Sequence, residues 1–232
     1  GARFLTAQAR SALQQAEVLC GYTVYLDLVR PLFPEKETYS TGMTKELDRC
    51  RWALETAHSG RTVALVCSGD AGVYGMASPA LELGADFPDV DIEVVCGVTA
   101  AQSGSAVLGA PLAQDFAVIS LSDLLTPWED IERRIEAAAW GDFCIALYNP
   151  RSKKRSGHLA RAVQVLLRHK RPDTVCGWVR MIGREGQQSG ICTLDELGSL
   201  EADMFTTVFV GNAATRVADG RMVTPRGYRG LS

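Results

Sequence analysis

The segment that most constrains the fold is residues 63–75, where an apolar run gives way abruptly to small residues and one acid. The continuously apolar part is typical of a strand buried on both faces in a parallel sheet. Gly69, Gly72 and Gly75 come next, and glycine lets a ligand or another backbone approach closely. Because ligands of open α/β sheets bind at the carboxyl ends of strands, the turn predicts part of a binding site. An ordinary strand-to-helix turn capped by Asp70 is the alternative.

The glycine spacing differs from that of the common phosphate-binding loops. The glycines form no G-x-G-x-x-G, and no G-x-x-x-x-G-K-[ST] occurs anywhere in the chain. The carboxylate of Asp70 would also repel a phosphate. It suits a ligand with hydroxyls, an amine or a sulfonium, which indicates a neutral or cationic small molecule rather than ATP.

The composition limits the possible partners. Of 232 residues, 47% are hydrophobic and 22% are charged, and the net charge of −3 produces no field that would favour nucleic acid or an anionic membrane. The apolar runs are far too short to span a bilayer, and residues 1–10 contain no apolar segment of a signal peptide. We therefore expect neither nucleic-acid nor membrane partners.

The cysteines and histidines follow no metal-binding pattern. The seven cysteines are odd in number and contain no C-x-x-C pair, which predicts buried free thiols in a reducing cytoplasm. His58, His158 and His169 show neither H-x-x-x-H nor H-E-x-x-H spacing, so no metal site is predicted.

Apolar runs alternate along the chain with segments of helical period. The predicted strands are residues 18–21, 62–67, 92–96, 116–121, 143–148, 175–179 and 204–210. The predicted helices are residues 5–15, 43–56, 73–83 and 100–108, one that begins at Pro127, and one whose inner face carries Leu159, Ala162, Val163 and Leu166. The predicted N-caps are Thr6, Thr99 in a capping box with Gln102, and Thr126 with Glu129.

This alternation is typical of an α/β fold with a parallel sheet, and the last strand, rich in Thr and Val, predicts a mixed or antiparallel sheet. The polar stretch 109–115 is the best candidate boundary, so we expect two α/β lobes, residues 1–112 and 113–232. Turn residues suited to ligand contact lie at four places along these lobes. They are residues 68–70, 97–100, 148–150 and 182–184, and together they predict a shared crevice.

The order of Gly69-Asp70, residues 97–101 and residues 148–150 resembles the tetrapyrrole methylases. Longer stretches resemble the branch of that family that methylates C17 of precorrin-3B in cobalamin biosynthesis. They are residues 21–26, 42–46, 68–76, 119–128, 149–153, 208–212 and 224–228, so the resemblance covers essentially the whole chain. It implies two α/β lobes with a cofactor crevice between them, and methyl transfer to C17 coupled to ring contraction.

One departure concerns the start of the family pattern. The family opens with an apolar strand and a Gly-x-Gly-Pro-Gly loop before Leu-Thr, whereas residues 1–6 here resemble only the part of the pattern after that loop. We therefore expect the first strand and its loop to be missing from this sequence, together with the border that they give to both ligands in the family.

Carried over by position, the resemblance implies contacts with S-adenosylmethionine, or with its product S-adenosylhomocysteine. The residues concerned are Ser68, Gly69, Asp70, Val73, Thr99, Ala100, Tyr148, Asn149 and Gly183. Asp70 can accept hydrogen bonds or face the amino-acid end of the cofactor. Thr99 has an equally good alternative role as the cap of its helix.

Ring contraction by an acyl shift would require a base that removes the proton of the C20 hydroxyl. Asp123, Asp27 and Tyr25 lie in the matching stretches and are the candidates, with surface solvation or capping as the alternative for each. Arg151 and Lys153, in a basic cluster, suit the carboxylates of the macrocycle, and a solvated loop is the alternative.

The resemblance further implies a cytoplasmic homodimer whose partner is the tetrapyrrole substrate. A metal-free and a cobalt-containing macrocycle both fit the pattern. Two other functions stay open. One is another methyltransferase of the same fold, acting on uroporphyrinogen, diphthine or ribosomal RNA, and the other is a sensor that binds the cofactor without turnover.

Overall fold

The computed structural model describes residues 4–151 and 157–228. Contacts divide the chain into two compact units, residues 1–99 and 100–232, here called the first and the second unit. The helix at Ala100–Leu108 belongs to the second unit, because it contacts the strands of that unit. The expected lobes 1–112 and 113–232 stay a prediction.

The first unit is built on a three-stranded parallel sheet with the order β2-β1-β3. Its strands are β1 (Val18–Tyr22), β2 (Glu37–Thr41) and β3 (Val63–Val66). Its helices are α1 (Ala7–Gln15), α2 (Thr23–Val29), α3 (Glu46–His58) and α4 (Ala77–Gly84), with a 3-10 turn at Arg30–Leu32. The first three residues of β1 are fully buried, as a central strand requires. The predicted parallel sheet is thus confirmed.

The sequence pattern predicts neither α2 nor β2, and two of the elements that it does predict differ in the structure. Residues 92–96 form no strand, and Val94 is exposed. An apolar segment becomes a strand only where a neighbouring backbone pairs with it, and none of the described strands pairs with this one. Helix α4 begins at Ala77 rather than at Val73, because residues 71–76 form a turn in which Tyr74 has a φ of 52°.

The second unit is built on a five-stranded mixed sheet with the order β5-β6-β9-β7-β8. These strands are β5 (Phe116–Ser120), β6 (Cys144–Tyr148), β7 (Val175–Arg180), β8 (Gln188–Thr193) and β9 (Thr206–Val210). A small sheet with the order β10-β11-β4 joins β4 (Gly109–Ala110), β10 (Arg216–Ala218) and β11 (Arg221–Val223). Strands β5 and β6 run parallel, and the other neighbours in the large sheet are antiparallel. The prediction of a mixed sheet for the last apolar strand is confirmed.

The helices of the second unit are α5 (Ala100–Leu108), α6 (Trp128–Trp140), α7 (His158–Leu166) and α8 (Leu194–Leu197). The four residues predicted for the inner face of α7 are buried, which confirms that periodicity. Helix α6 places Ile131 and Ile135 in the same core. The predicted cap at Thr126 is wrong. The helix begins one residue later, so Pro127 occupies the cap position and makes no side-chain cap bond. None of the helices among the described residues is long and apolar enough to cross a membrane.

Candidate functional site

In the first unit, the carboxylate of Asp70 joins two of the predicted turns. Its Oδ1 accepts a hydrogen bond from the amide of Gly72 at 2.8 Å, and its Oδ2 accepts one from the amide of Gly97 at 2.8 Å. The Gly97 amide, and to a lesser extent that of Gly72, lowers the pKa of the Asp70 carboxyl below its usual value, because both stabilise the charged form. Asp70 is therefore a fixed anion that holds residues 68–75 against residues 97–99.

The same two turns meet backbone to backbone. A Cβ at Gly97 would lie 2.0 Å from the carbonyl oxygen of Gly69, which is closer than any side chain tolerates. Gly69 itself has a φ of 76°, a conformation that favours glycine. Gly97 is thus required by close approach and Gly69 by backbone conformation, whatever ligand the site takes.

The remaining predicted contacts of the first unit lie around this junction. Ser68 is exposed two residues after the end of β3, and Thr99 is half-buried after the Gly97 turn. The amide of Val73 reaches the carbonyl of Asp70 at 3.4 Å, which closes the turn. The structure therefore brings Ser68, Gly69, Asp70 and Val73 together, with the Gly97 turn against them.

In the second unit, Tyr148 supports the start of helix α5. Its hydroxyl oxygen accepts a hydrogen bond from the amide of Ala101 at 2.6 Å, next to the half-buried Ala100. The hydroxyl thereby satisfies one of the amides that every helix leaves unpaired in its first turn. Tyr148 and Ile182 both pack against a core cluster that contains Ala101, so two more of the predicted turns converge here.

Asn149 and Gly183 both have backbone in the left-handed region, which strains Asn149 but not a glycine. Asn149 has a φ of 53°, and its side-chain amide donates to the hydroxyl of Ser120 at 3.0 Å. Gly183 has a φ of 69°, and its backbone amide donates to Gln187 at 2.7 Å. Strained backbone held by surrounding contacts is found more often at functional sites than elsewhere. Sequence reasoning missed Ser120, because no motif marks a serine at the end of a strand.

Two of the three candidate bases lie on helix α2 of the first unit. Tyr25 packs against the core of that unit and contacts the ring of Tyr22 edge to face at 5.2 Å. Asp27 is exposed and pairs with Arg30 at 3.5 Å. Residues two apart on a helix do not share a face, so these two side chains do not form one cluster. The surroundings of Asp27 match the surface alternative.

The third candidate, Asp123, has a partner that the sequence did not reveal. Its Oδ2 lies 3.0 Å from Nε2 of His158, the first residue of α7. The imidazole is 11% exposed and the carboxylate side chain 37% exposed, so the histidine lies behind the acid. No spacing rule connects residues 35 positions apart, and they meet only because the start of α7 lies against the loop between β5 and α6.

The comparisons with known proteins now identify the family. The family described as Tetrapyrrole (Corrin/Porphyrin) Methylases matches residues 1–198. The chain belongs to this family. It is 47% identical over 225 residues to a protein of Salmonella typhimurium (strain LT2) named "Probable cobalt-factor III C(17)-methyltransferase", and the match covers 97% of this chain and 93% of that protein.

Solved structures agree with the fold of this methylase. The crystal structure of the methyltransferase CobJ superimposes with a TM-score of 0.90 at 37% identity, covering 96% of this chain and 94% of the other. A uroporphyrin-III C-methyl transferase from Thermus thermophilus, solved with S-adenosyl homocysteine, superimposes with a TM-score of 0.71 at 20% identity and covers 90% of this chain and 91% of its own. The predicted tetrapyrrole methylase fold is confirmed.

The basic cluster of this methylase is only partly described. Arg151 is half-buried directly after the Asn149-Pro150 turn. Lys153 lies outside the described residues, so its role as a substrate contact stays a prediction, as does that of Arg151.

The thiols of this methylase are free. Burial raises the pKa of Cys20 to about 12, and it raises the pKa values of Cys50 and Cys192 to about 11. Cys96, beside Gly97, is exposed. Among the described residues, no group of three or more His, Cys, Asp or Glu side chains is arranged to hold a metal ion.

Proposed function

We propose that this methylase transfers a methyl group from S-adenosylmethionine to C17 of a precorrin-3B-type macrocycle, with ring contraction, in cobalamin biosynthesis. The observation that carries the proposal is the 47% identity that extends over almost the full length of both this chain and the Salmonella typhimurium protein. The uroporphyrin branch shares the fold at only 20% identity. The similarity therefore favours the C17 branch over the other methyltransferases of this fold.

The donor set at the Asp70 junction fits the proposed cofactor. The exposed turn offers the hydroxyl of Ser68, the backbone of Gly69, and an ionised carboxylate at Asp70 whose charge complements a sulfonium or an ammonium group. S-adenosylmethionine supplies an electrophilic methyl carbon when bound. Methyl transfer depends mainly on alignment, so the task of this chain is to position the macrocycle and exclude competing nucleophiles. The predicted contacts at Val73, Thr99, Ala100, Tyr148, Asn149 and Gly183 are part of this proposal.

Ring contraction assigns a proton-transfer role to the chain. The proton of the C20 hydroxyl moves to a carboxylate oxygen of Asp123, and the electron pair of the broken O–H bond stays on the substrate oxygen, where it supports the acyl shift. Asp123 is favoured over Asp27 and Tyr25 because a buried imidazole supports it, whereas Asp27 pairs with Arg30 at the surface and Tyr25 packs into the core.

The direct test uses both macrocycles, with and without cobalt, and S-adenosylmethionine, under anaerobic and aerobic conditions. Mass spectrometry should detect a product heavier by one methylene unit, and S-adenosylhomocysteine should form in equal amount. Turnover of one macrocycle alone decides between the metal-free and the cobalt-containing substrate. Binding of the cofactor without loss of its methyl group to either macrocycle would contradict the proposal and favour the sensor.

Cofactor binding can be tested separately from turnover. S-adenosylhomocysteine at about 100 times its dissociation constant should stabilise the protein by about 2.7 kcal/mol, which a thermal melt detects. Absence of any shift at saturating ligand would count against the cofactor site.

We propose that Arg151 and Lys153 bind carboxylates of the macrocycle. The methyl donor has one carboxylate and the macrocycle has many, so replacing both residues by Ala should raise the Michaelis constant for the macrocycle and leave the cofactor affinity nearly constant. Higher salt should mimic the effect in the parent protein, because exposed charge contacts are screened. Unchanged kinetics in a double variant that melts like the parent would refute this role.

We propose a cytoplasmic homodimer that takes the tetrapyrrole as its partner and binds neither nucleic acid nor membrane. Sedimentation of the purified chain, alone and with duplex DNA or anionic vesicles, should give one dimeric species throughout. A monomer, or cosedimentation with either addition, would contradict it.

A further inference from the structure

The Asp123–His158 pair is held by a second layer of side chains. The ring of Trp128 contacts the imidazole edge to face, with centroids 4.9 Å apart and planes at 82°. The indole nitrogen of Trp128 donates to Glu132 at 3.1 Å, and the guanidinium carbon of Arg161 lies 4.2 Å from the centroid of the Trp128 ring. Trp128 of α6 therefore holds the imidazole of His158 in place. Two charged side chains, Glu132 and Arg161, contact Trp128 in turn.

The chemistry of the pair determines which of the two atoms carries the hydrogen between them. A carboxylate can only accept hydrogen bonds at neutral pH, so Nε2 of His158 must carry the hydrogen that points to Asp123. The donor is buried and the acceptor is partly open to solvent, so only one of the two groups can meet a ligand directly. The direction of the hydrogen bond runs from the core outwards.

The loop that carries Asp123 is unusual in its neighbours. Leu124 and Leu125, in the loop between β5 and α6, are 71% and 93% exposed. Two exposed leucines beside a carboxylate fit a ligand with a broad apolar face and a polar group at its edge. This arrangement matches a macrocycle better than it matches a solvated surface loop.

We infer that His158 is a positioning residue that holds the carboxylate of Asp123 in one orientation, ready to accept the substrate proton. The inference rests on the proposed function, since it assigns a support to the proposed base. The alternative is a purely structural contact that only stabilises the packing of the loop after β5 against the start of α7. The two roles differ in whether His158 acts on the reaction through Asp123 or on the stability of the unit by itself.

The first experiment measures steady-state kinetics of Asp123→Asn, His158→Phe and the double variant with the macrocycle. One hydrogen bond to a charged group sets the scale, so His158→Phe should lower kcat about ten- to a hundredfold. The Michaelis constant for the macrocycle and the affinity for S-adenosylhomocysteine should stay within about twofold. The double variant should be no slower than Asp123→Asn alone, because groups that act as one unit are not additive.

The chain offers a matched variant and a rescue. His169→Phe removes another histidine–carboxylate pair of the second unit, with Glu136 at 3.4 Å, and should leave kcat unchanged. His158→Gln keeps an N–H donor at a similar distance from the backbone and should restore most of the activity lost in His158→Phe. A purely structural contact would give the opposite pattern, in which the melting temperatures of the variants fall while the kcat of the folded variants is unaffected.

The second experiment needs no turnover. The chain has three histidines, so nitrogen-15 NMR of the imidazole rings gives a spectrum simple enough to assign with His158→Gln. In the parent protein His158 should carry its hydrogen on Nε2, and Asp123→Asn should change that resonance while leaving those of His58 and His169 in place.

The outcomes separate this inference from the proposed function. A parent protein that methylates neither macrocycle would overturn the proposed function, and the positioning role with it. An active parent with normal kcat in folded His158→Phe, or with additive losses in the double variant, would overturn the positioning role alone. A His158 resonance that stays unchanged in Asp123→Asn would also overturn the positioning role. This result can be obtained even if His158→Phe fails to fold.

Discussion

The two units use different kinds of contact to hold together the turns that follow their strands. In the first unit, backbone atoms of two turns pack on each other, and the carboxylate of Asp70 joins them by binding two amides. In the second unit, side chains meet side chains: Asp123 with His158, and Asn149 with Ser120. The first arrangement depends on glycines that let two backbones touch and on one carboxylate that binds both turns, and the second depends on residues whose side chains come from distant elements.

This difference predicts how each unit responds to mutation. A junction of backbones cannot relax when a side chain is added, whereas a junction of side chains loses only the bonds that the side chains make. Substitutions at the first should therefore cost stability, and substitutions at the second should leave the fold intact and change the chemistry.

The largest effect is expected for Gly97→Ala. The added Cβ would lie 2.0 Å from the carbonyl oxygen of Gly69, so the two turns must separate, at a cost of about 3 kcal/mol or more. Chemical denaturation gives the free energy of unfolding. The control is Gly42→Ala, where nothing lies within 4 Å of the new carbon, and it should stay within about 0.5 kcal/mol of the parent. Equal stability of the two variants would refute the backbone junction.

Asp70→Ala should have the next largest effect. It removes a charged acceptor of two amides, for which we expect a loss of about 1.5–3 kcal/mol, together with weaker binding of S-adenosylhomocysteine. Asp48→Ala is the control, since that side chain is exposed and pairs with exposed Lys45, and it should change neither quantity appreciably. Calorimetric titration and denaturation measure both. Equal cofactor affinities for the two variants would show that the cofactor binds elsewhere.

The Asp70 effect should depend on pH. The folded state lowers the pKa of this carboxyl, so its contribution is fully present above the unfolded value of about 3.9. It is lost as the pH falls through the lower folded value. The difference in unfolding free energy between the parent and Asp70→Ala should thus be constant near neutral pH and shrink below about pH 4. A difference that grows on acidification would contradict the assignment.

Ser120→Ala tests the side-chain junction of the second unit. Its hydroxyl accepts from Asn149 at 3.0 Å and from the amide of Ser122 at 3.2 Å, and both donors are uncharged. Loss of these bonds should cost about 1 kcal/mol, less than either substitution at the Asp70 junction. A denaturation midpoint shifted as far as that of Gly97→Ala would remove the contrast between the units.

The smallest expected effects concern two threonines that the sequence marked alike. Thr6 caps α1 by accepting from the amide of Ala9 at 3.1 Å, so Thr6→Ala should cost about 1 kcal/mol. Thr126 makes no cap bond to α6, so Thr126→Ala should cost close to nothing. Thermal melts of the two variants rank them. A larger loss at Thr126 would reverse the assignment of the caps.

Elements with a local cause could be predicted from the amino-acid sequence alone. The apolar run of β3, the glycines of the turn after it and the 3.6-residue period of α7 each depend on neighbours in the chain, and each is present in the structure. The resemblance of long stretches to the methylases also came from the sequence, and the comparisons confirm it.

Features that depend on partners far away in the chain required the tertiary structure. Residues 92–96 have the composition of a strand but form none, because a strand needs a paired edge and the described strands supply none there. Polar β8 lacks the apolar pattern of a strand and becomes one because β7 pairs with it along its whole length. His158 shows no motif, yet packing places it 3.0 Å from Asp123. Local propensity is set by a residue's own backbone and its nearest neighbours, whereas a pair of side chains from separate elements exists only after the chain has folded.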